Sequence, residues 1–236
     1  MKSNRAIIVQ ARMSSKRLPG KSLMKIGEYP LIYYVLNRLK ITGEQIIVAT
    51  STDSSDDVLV EYLEEQDFKF FRGSLDNVLD RYITTAYKFG IEEIIRVTAD
   101  NPFVDIELLK GSLGLFKKYT YVDGIYEGGL IKGTGFELVN ISELKNTSPL
   151  LPGHKEHVTQ KLREELESSA KRIRLKNSFH INRVSDIILT CDFREDFDLI
   201  SSILSHFNYS FNEPINEIVN YLNNNQSLKK LNSHLH

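Results

Sequence analysis

The fold of this chain is decided by a stretch near its N-terminus, Gln10-Ala11-Arg12-Met13-Ser14-Ser15-Lys16-Arg17-Leu18-Pro19-Gly20-Lys21-Ser22-Leu23-Met24-Lys25-Ile26-Gly27-Glu28-Tyr29-Pro30-Leu31. A short apolar run, Ala6 to Val9, precedes it, and a helical pattern begins at its end. The segment from Lys2 to Gly27 contains no acidic residue and seven basic ones, namely Lys2, Arg5, Arg12, Lys16, Arg17, Lys21 and Lys25. Long loops without secondary structure are usually functional in compact domains. A basic loop after a strand suits a polyphosphate, which backbone N–H groups and a following helix N-terminus also attract.

This basic loop differs from a P-loop. Gly20-Lys21-Ser22 matches the end of that motif, but Ser15 stands where the motif requires its first glycine. A P-loop also continues directly into a helix, whereas Gly27 and Pro30 interrupt the chain here. A solvated surface loop is the alternative interpretation, and the absence of acidic residues favours phosphate binding over it.

Composition limits the class of protein. The chain has 236 residues, 41% hydrophobic and 26% charged, which suits a single domain spanning 1–236. A net charge of −1 argues against a nucleic-acid partner. The lone Cys191 excludes an internal disulfide and fits a reducing compartment. Because no signal-peptide or membrane-spanning pattern is present, we expect a cytoplasmic protein without a membrane partner.

The first half of the chain alternates short apolar runs with amphipathic helical patterns. The predicted strands are 6–9, 46–50, 68–71 and 94–97, and the predicted helices are 30–40, 56–65, 76–89 and 105–118. This alternation predicts an α/β fold of three layers, in which a mostly parallel twisted sheet carries helices on both faces. Ligands of such sheets bind at the carboxyl ends of the strands.

The pattern changes after Tyr119. We predict strands at 119–122, 136–139, 171–175 and 187–191, and helices at 142–147, 156–166, 193–207 and 214–222. The glycine-rich segment 124–135 suggests a hairpin or an irregular loop, and the later strands suggest a small β-rich arm. The polar tail from Asn223 onward is predicted to fray.

Two aspartates directly follow predicted strands. Asp100 follows the strand 94–97, and Asp192 follows the predicted strand 187–191. If the strands are parallel, both carboxylates lie at one edge of the sheet, where they could hold the Mg²⁺ used in nucleotidyl transfer. The alternatives are a turn at Asp100 and a helix cap at Asp192. The pair opposite a basic loop is more specific than either residue alone.

Several motifs together resemble a known family. They are Ile8 to Lys21, Phe71-Arg72-Gly73-Ser74, Val78-Leu79-Asp80-Arg81-Tyr82, Thr98-Ala99-Asp100-Asn101-Pro102, Glu156-His157-Val158-Thr159 and Asp192 to Ile200. The set resembles the cytidylyltransferases that activate acidic sugars, including the CMP-Kdo and CMP-sialate synthetases, and most closely their spore-coat-polysaccharide-type branch. The first motif is long and specific, and the resemblance covers nearly the whole chain.

The resemblance implies a nucleotide-diphospho-sugar transferase-like fold and a set of roles. Mg²⁺ would be the cofactor, ligated by Asp100 and Asp192, and these aspartates with Arg12 and Lys21 would be catalytic. The implied nucleotide-binding residues are Gln10, Ala11, Arg12, Ser14, Ser15, Arg17, Lys21, Arg72 and Ala99, of which Arg12, Ser15, Arg17 and Lys21 would hold the triphosphate of CTP. Glu137 and His157 would contact the acceptor. The region of about 124–182 would supply the acceptor pocket and the contacts of a homodimer.

The chain departs from the family pattern in two places. Gly135 stands where relatives often carry an acidic residue, and Phe193-Arg194 replaces a common Thr-Pro pair before Glu195-Asp196. Both positions lie on the expected acceptor side, so the departures bear on the acceptor more than on nucleotide chemistry.

The sequence thus predicts Mg²⁺-dependent transfer of CMP from CTP to an acidic sugar, with release of pyrophosphate, for surface glycan biosynthesis. Three alternatives stay open: a nucleotidyltransferase that uses another nucleoside triphosphate, a GT-A-like glycosyltransferase, and a nucleotide-binding subunit without turnover. An Asp-x-Asp metal motif after a strand would favour the glycosyltransferase, and no such triplet directly follows a predicted strand here.

Overall fold

The computed structural model describes residues 4–124, 130–147, 152–175 and 186–236, without the side chains of Pro152 and His154. Its strands are β1 (Arg5–Gln10), β2 (Lys25–Ile26), β3 (Tyr29–Pro30), β4 (Gln45–Ser51), β5 (Lys69–Gly73), β6 (Glu93–Thr98), β7 (Tyr121–Gly124), β8 (Phe136–Asn140) and β9 (Arg172–Arg174). The main sheet has the order β5-β4-β1-β6-β8-β7-β9, and β2 pairs with β3 separately. Within the main sheet only β8 runs against the other strands.

The helices are α1 (Leu31–Lys40), α2 (Asp57–Glu65), α3 (Val78–Phe89), α4 (Ile106–Ser112), α5 (Ile141–Asn146), α6 (Pro152–Glu156), α7 (Gln160–Glu165), α8 (Arg194–His206), α9 (Ile215–Asn224) and α10 (Gln226–Lys229). They cover both faces of the sheet, as β1 shows. Ile7 and Val9 belong to a core shared with α1, α2 and α4. Ala6 and Ile8 belong to another shared with α3 and α5. Because successive strand residues point to opposite faces, these two cores lie on opposite sides of the sheet, each covered by helices. The predicted three-layer α/β fold is confirmed.

Helix α8 and helix α9 form a third apolar cluster at one end of the sheet. Their buried faces pack with Leu31 and Tyr34 of α1 and with the segment Ile187–Cys191. The apolar residues whose spacing predicted a helix over 193–207 therefore form the face of α8 that packs against α1. This contact places the N-terminus of α8 beside the basic loop.

One predicted strand is wrong. The segment 187–191 makes a single isolated bridge, between Ile188 and Lys132, and is not a strand of the sheet. Its apolar side chains are buried against α8 and α9 instead, so burial alone accounts for the apolar run. Asp192 is therefore not at a sheet strand's end. It reaches Asp100 because Cys191 N–H donates to the Asp100 carbonyl, over 2.8 Å.

Two predicted helices are shorter than expected. The pattern over 105–118 gives α4 and then a 3-10 helix at 113–117, and the pattern over 156–166 is broken between α6 and α7. Val158 and Thr159 lie at that break and are both buried. Their β-branched side chains favour packing against the core over continuation of a helix. The strands β8 and β9, within the region 124–182, continue the main sheet rather than forming a separate arm.

The prediction that the polar tail frays is also wrong. Residues 226–229 form α10, and Asn232 is fully buried. The Asn232 amide donates to the Ile188 carbonyl at 3.1 Å and to Asp196 Oδ1 at 2.7 Å. Polar side chains in this tail therefore satisfy buried polar groups of the body. In the parts of the chain that the structure describes, no helix is long and apolar enough to cross a membrane.

Gly133 allows two chain segments to cross closely beside this tail. Its φ is +97°, and a Cβ at this position would lie 2.2 Å from the backbone nitrogen of Thr190. The neighbouring Leu189 N–H donates to the Lys132 carbonyl at 2.7 Å, so the crossing is fixed by a backbone hydrogen bond. A side chain at position 133 would separate the two segments.

Replacing Gly133 by Ala should therefore lower the free energy of unfolding by about 3 kcal/mol or more, through strain and a backbone clash. Gly43→Ala is the matched control, because Gly43 also has positive φ, +75°, but a Cβ there would meet no atom within 4 Å. The control should cost only about 1 kcal/mol. Urea denaturation of both variants measures the difference, and equal losses would contradict the close crossing.

Candidate active site

A buried aspartate anchors the basic loop to the sheet. Asp56 is fully buried, and Met13 N–H donates to its carboxylate at 2.6 Å. The same carboxylate accepts hydrogen bonds from Thr50 Oγ1 at 3.0 Å and from Ser51 Oγ at 2.5 Å, at the end of β4. Gly20 then turns the chain with φ +74°, which leads into a 3-10 helix at Lys21–Leu23. The loop is thus a fixed element and not a freely solvated one.

The Lys21 ammonium is the centre of the site. Its Nζ donates to Asp100 Oδ2 at 2.9 Å, to Asp192 Oδ1 at 3.1 Å and to the Cys191 carbonyl at 2.6 Å. An ammonium has three donors, so these contacts satisfy it completely. The basic loop, the end of β6 and the N-terminus of α8 therefore meet at one atom.

Burial and the neighbouring charges have opposite effects on the pKa of Lys21. Burial disfavours the charged ammonium, but the neighbouring Asp100 and Asp192 outweigh it and raise the pKa of Lys21. For Asp192, burial acts to raise the pKa, yet Lys21 and then Arg17 outweigh it and lower the pKa. Lys21 and Asp192 are therefore both charged at neutral pH, and each stabilises the charge of the other.

Further hydrogen bonds hold the carboxylate of Asp100 and the backbone of Asp192 in place. Thr98 Oγ1, at the end of β6, donates to Asp100 Oδ1 at 2.6 Å. The backbone N–H groups of Asp192 and Phe193 both donate to Asp196 Oδ2, each at 2.8 Å. Asp196 thereby caps the first turn of α8 and fixes the backbone that carries Asp192. Both carboxylates are preorganised rather than free to rotate.

Two arginines of the basic loop lie above this centre. Arg17 Nη2 is 2.8 Å from Asp192 Oδ2, and its guanidinium stacks over the Phe193 ring with 5.0 Å between Cζ and the ring centroid. The hydrogen bond that Arg17 donates to Asp192 is the main reason that the pKa of Arg17 is raised. Arg12 Nη2 is 3.2 Å from Glu156 Oε1. The Arg17 side chain is 55% exposed, so a ligand can approach it from solvent.

These groups border a cavity of about 430 Å³, called here the basic cavity. Most of the predicted site residues line it: Gln10, Ala11, Arg12, Ser15, Arg17, Lys21, Ala99, Asp100, His157 and Asp192. Its other lining residues are Lys16, Ser22, Thr98 and Glu156. Two predicted nucleotide-binding residues, Ser14 and Arg72, are not among the lining residues. Ser14 is exposed, and Arg72 holds the loop after β4 by donating to Ser51 O at 2.8 Å and Asp53 O at 3.0 Å.

A second cavity, of about 220 Å³, adjoins the first. It is lined by Arg96, Val97, Thr98, Asp100, Asn101, Lys132, Gly133, Gly135, Phe136, Glu137 and Thr190. Thr98 and Asp100 border both cavities, so Asp100 stands at their junction. The structure therefore provides two adjacent compartments with a carboxylate between them, as a reaction that joins two substrates requires.

Glu137 forms part of the wall of the second cavity. It is buried, and its carboxylate accepts hydrogen bonds from Arg96 and from the Tyr121 hydroxyl. Burial acts to raise the pKa of Glu137, but Arg96 outweighs it and the pKa is lowered. Both oxygens thus have protein partners. Glu137, which we predicted to contact the acceptor, is therefore ion-paired with Arg96 inside the protein. The other predicted acceptor contact, His157, lines the basic cavity.

The two aspartates suit a magnesium ion better than a metal that needs a full protein ligand set. Within the described ranges no group of three or more His, Cys, Asp and Glu side chains could hold a metal. Mg²⁺ typically takes one or two carboxylates and completes its shell with substrate phosphates and water. Asp100 and Asp192, which both contact Lys21, offer that donor set beside the cationic wall of the basic cavity.

Sequence reasoning missed several supporting residues. Asp56, Asp196, Asn232 and His236 carried no predicted role in the site. His236 Nε2 lies 3.0 Å from Asp196 Oδ1, next to the Asn232 amide. Asp196 stands three residues after Phe193, the N-cap of α8, and this capping-box spacing could have indicated its role. No local pattern could have indicated the tail residues, because their contacts are far apart in the sequence.

The sequence of this chain is similar to those of known proteins. The profile of the family described as Cytidylyltransferase matches residues 6–213. An uncharacterized protein, MJ1063, of Methanocaldococcus jannaschii is 32% identical over 97% of this chain and 94% of its own length. The spore coat polysaccharide biosynthesis protein SpsF of Bacillus subtilis is 31% identical over 92% of this chain and 93% of its own length.

Solved structures give the same result. A cytidylyltransferase from Leptospira borgpetersenii superposes with a TM-score of 0.87 at 26% identity, covering 97% of both chains. A CMP:2-keto-3-deoxy-manno-octonic acid synthetase complexed with CTP shares the fold, with a TM-score of 0.63 at 13% identity over 86% of this chain and 99% of that one. The family profile spans most of the chain, and the basic loop and paired aspartates fall within it. The chain belongs to the cytidylyltransferase family and is a nucleotidyltransferase.

Proposed function

We propose that this protein transfers CMP from CTP to an acidic sugar with Mg²⁺ as cofactor, releasing pyrophosphate. The observation that carries the proposal is the Lys21 ammonium, which contacts both Asp100 and Asp192 where the basic cavity meets the second cavity. Cations and carboxylates that converge at one point suit a reaction in which negative charge builds on phosphate oxygens. The role of the Bacillus subtilis relative in spore coat polysaccharide biosynthesis supports surface glycans as the destination of the product.

The basic cavity is the proposed nucleotide site. Its cationic wall, Arg12, Arg17 and Lys21 with the Ser15 hydroxyl, would hold the triphosphate. Arg17 can exchange its exposed contact with Asp192 for a phosphate oxygen, because its guanidinium is already oriented by the Phe193 ring. Gln10, Ala11 and Ala99 line the same cavity and would contact the nucleoside. Arg72 would act indirectly, by holding the loop after β4, and Ser14 would remain at the surface.

Asp100 and Asp192 are the proposed ligands of Mg²⁺. When bound, the ion would offset negative charge on the phosphates of the nucleotide. Lys21 already contacts both carboxylates. It could shift part of that interaction to a phosphate oxygen once the carboxylates also bind the ion. Catalysis then depends on position and electrostatics, with Lys21 and Arg12 stabilising charge on the α-phosphate as the acceptor oxygen attacks in line.

The second cavity is the proposed acceptor site. Its wall comes partly from residues 132–137, within the region of about 124–182 that we assign to the acceptor pocket and to homodimer contacts. Glu137 shapes this wall through its ion pair with Arg96, and His157 faces the same reaction zone from the basic cavity. Asp100 borders both compartments, which would place an acceptor hydroxyl next to the α-phosphate.

The nucleotide and acceptor classes are tested by measuring pyrophosphate release with Mg²⁺ for CTP, UTP, GTP and ATP, each against sugar acids, neutral sugars and sugar phosphates. We expect release only with CTP, which the family and the CTP complex of the neighbouring synthetase support. We expect a sugar acid as the acceptor, because cationic side chains line both cavities that meet at Asp100. Release with another nucleotide would retain the mechanism and overturn the choice of base. No release in any combination, with CTP still raising the Tm, would support a binding subunit instead.

Replacing Lys21 by Ala should lower turnover by about 10²-fold or more, since it removes a preorganised charge from the reaction centre. The matched control is Lys25→Ala, an exposed lysine of the same loop that does not line the basic cavity. The control should retain activity. Circular dichroism and thermal melting establish that each variant is folded, and a folded Lys21→Ala enzyme with unchanged turnover would rule out this role.

The lowered pKa of Asp192 predicts how its contribution to stability depends on pH. A carboxylate whose pKa is lower in the folded chain stabilises the fold fully above its unfolded pKa, about 3.9, and loses that contribution as the pH falls through the folded pKa. Asp192→Asn should therefore lower the free energy of unfolding near neutral pH, and this loss should shrink below about pH 4.

Denaturant unfolding of wild type and Asp192→Asn at several pH values measures this effect. Asp198→Asn serves as the control, because Asp198 is an exposed member of an i,i+4 pair on α8 and contacts Arg194 rather than the site. Its effect should be small at every pH. A loss for Asp192→Asn that is the same in acid as at neutral pH would show that the Lys21 contact does not stabilise its charge.

A further inference from the structure

We propose that Lys132 is the residue that recognises the acidic group of the acceptor, and that His236 positions it. The inference rests on the proposed function, whose second cavity Lys132 lines. It assigns acceptor specificity to one ammonium group and brings the tail of the chain into the site. The ligand class is a sugar that carries a carboxylate.

The backbone of Lys132 is held firmly in place. Its carbonyl accepts the Leu189 N–H at 2.7 Å, and its strand-like bridge to Ile188 is the single sheet contact of that segment. The adjoining Gly133 packs so closely that a Cβ would lie 2.2 Å from the Thr190 nitrogen. Lys132 is therefore fixed to the same segment that continues through Cys191 to Asp192. Its distance from the reaction centre is set by backbone packing.

The charges of the second cavity distinguish Lys132 from its neighbours. Arg96 is paired with the buried Glu137, and Asp100 is paired with Lys21. Among the side chains that the structure describes, the polar partner of Lys132 is His236, whose Nδ1 lies 2.9 Å from Nζ. A lysine that lines a cavity, and whose described polar partner is an imidazole rather than a carboxylate, can attract an anionic ligand. A neutral acceptor would gain no ion pair from the Lys132 ammonium.

The contacts of His236 fix its tautomer. Lys132 has only donors, so Nδ1 of the imidazole must accept its hydrogen bond. Nε2 then carries the proton and donates to Asp196 Oδ1 at 3.0 Å. The ring also packs edge-on against Phe193, with 5.6 Å between centroids. The imidazole, which accepts at Nδ1 and donates at Nε2, thus orients the ammonium without placing a carboxylate beside it.

His236 links the acceptor side to the metal side. Its partner Asp196 also accepts the backbone N–H groups of Asp192 and Phe193. One buried carboxylate therefore sets the position of both Asp192 and, through the imidazole, Lys132. Loss of the ring would release the ammonium first, because Asp196 keeps its bonds to the backbone and to Asn232. His236 is a positioning residue, and Lys132 is the residue that would contact the acceptor.

The test is a kinetic comparison of wild type and Lys132→Gln on CTP with 3-deoxy-manno-octulosonate, N-acetylneuraminate, and neutral and phosphorylated sugars as acceptors. Loss of a charged hydrogen bond to a carboxylate should raise the KM of the sugar acid about 10- to 100-fold. The KM of CTP and the CTP-induced rise in Tm should be unchanged. Lys132→Arg should restore part of the affinity, and Lys110→Gln, an exposed lysine of α4, is the matched control.

The outcomes separate the two proposals. Turnover of a sugar acid by wild type, with an unchanged acceptor KM in folded Lys132→Gln, would overturn the role of Lys132 and leave the proposed function intact. Turnover of only neutral or phosphorylated sugars would overturn the acidic acceptor class and the role of Lys132 with it. Failure of wild type to release pyrophosphate from any pair would overturn the proposed function, and the inference would fall too.

A second variant tests the positioning role. His236→Ala should raise the KM of the same sugar acid about 3- to 10-fold, less than Lys132→Gln, because the ammonium remains but is no longer oriented. In the double variant His236→Ala/Lys132→Gln the two effects should not add, since both act through one contact. Full additivity, with both variants folded by circular dichroism, would show that His236 does not act through Lys132.

Discussion

The ion triad of Lys21, Asp100 and Asp192 is the constraint on which the rest of the structure depends. Two carboxylates confined to one small space repel each other, by about 4 kcal/mol for unit charges about 4 Å apart at an effective dielectric constant near 20. The Lys21 ammonium lies within 3.1 Å of both and removes that conflict. Because the three residues come from the basic loop, the end of β6 and the start of α8, their attraction joins three distant parts of the chain.

The surrounding structure can be understood as support for this triad. Asp56 fixes the loop that carries Lys21, Thr98 orients Asp100, and Asp196 fixes the backbone at Asp192. Each support is a hydrogen bond to a buried or partly buried group, which keeps the geometry without filling the basic cavity. Such preorganisation matters for phosphate chemistry, since charge stabilisation is most effective when the charged groups need not move.

The fold could be predicted from local patterns, whereas several of the predicted lining residues of the basic cavity, such as Gln10, Ala99 and His157, came from the family resemblance. Apolar runs identified β1, β4, β5 and β6, and the acid-free loop pointed to the basic cavity. The segment 187–191 was misassigned because burial against α8 produces the same apolar run as burial in a sheet. The role of Asn232 was invisible for another reason: its polar side chain satisfies a buried charge whose location only the tertiary structure defines.

The junction at Asp100 separates two cavities with different walls. Both cavities meet there, but the basic loop supplies much of the wall of one, whereas residues 132–137 and Thr190 contribute to the other. Gly135, where relatives often have an acidic residue, lines the second cavity, and Phe193 contacts both Arg17 and His236. Among the described residues the two cavities share only Asp100 and Thr98. Under the proposed function, a substitution at Gly135 would therefore change the wall of the second cavity without altering the triad, whereas one at Phe193 would also reach Arg17 of the basic cavity.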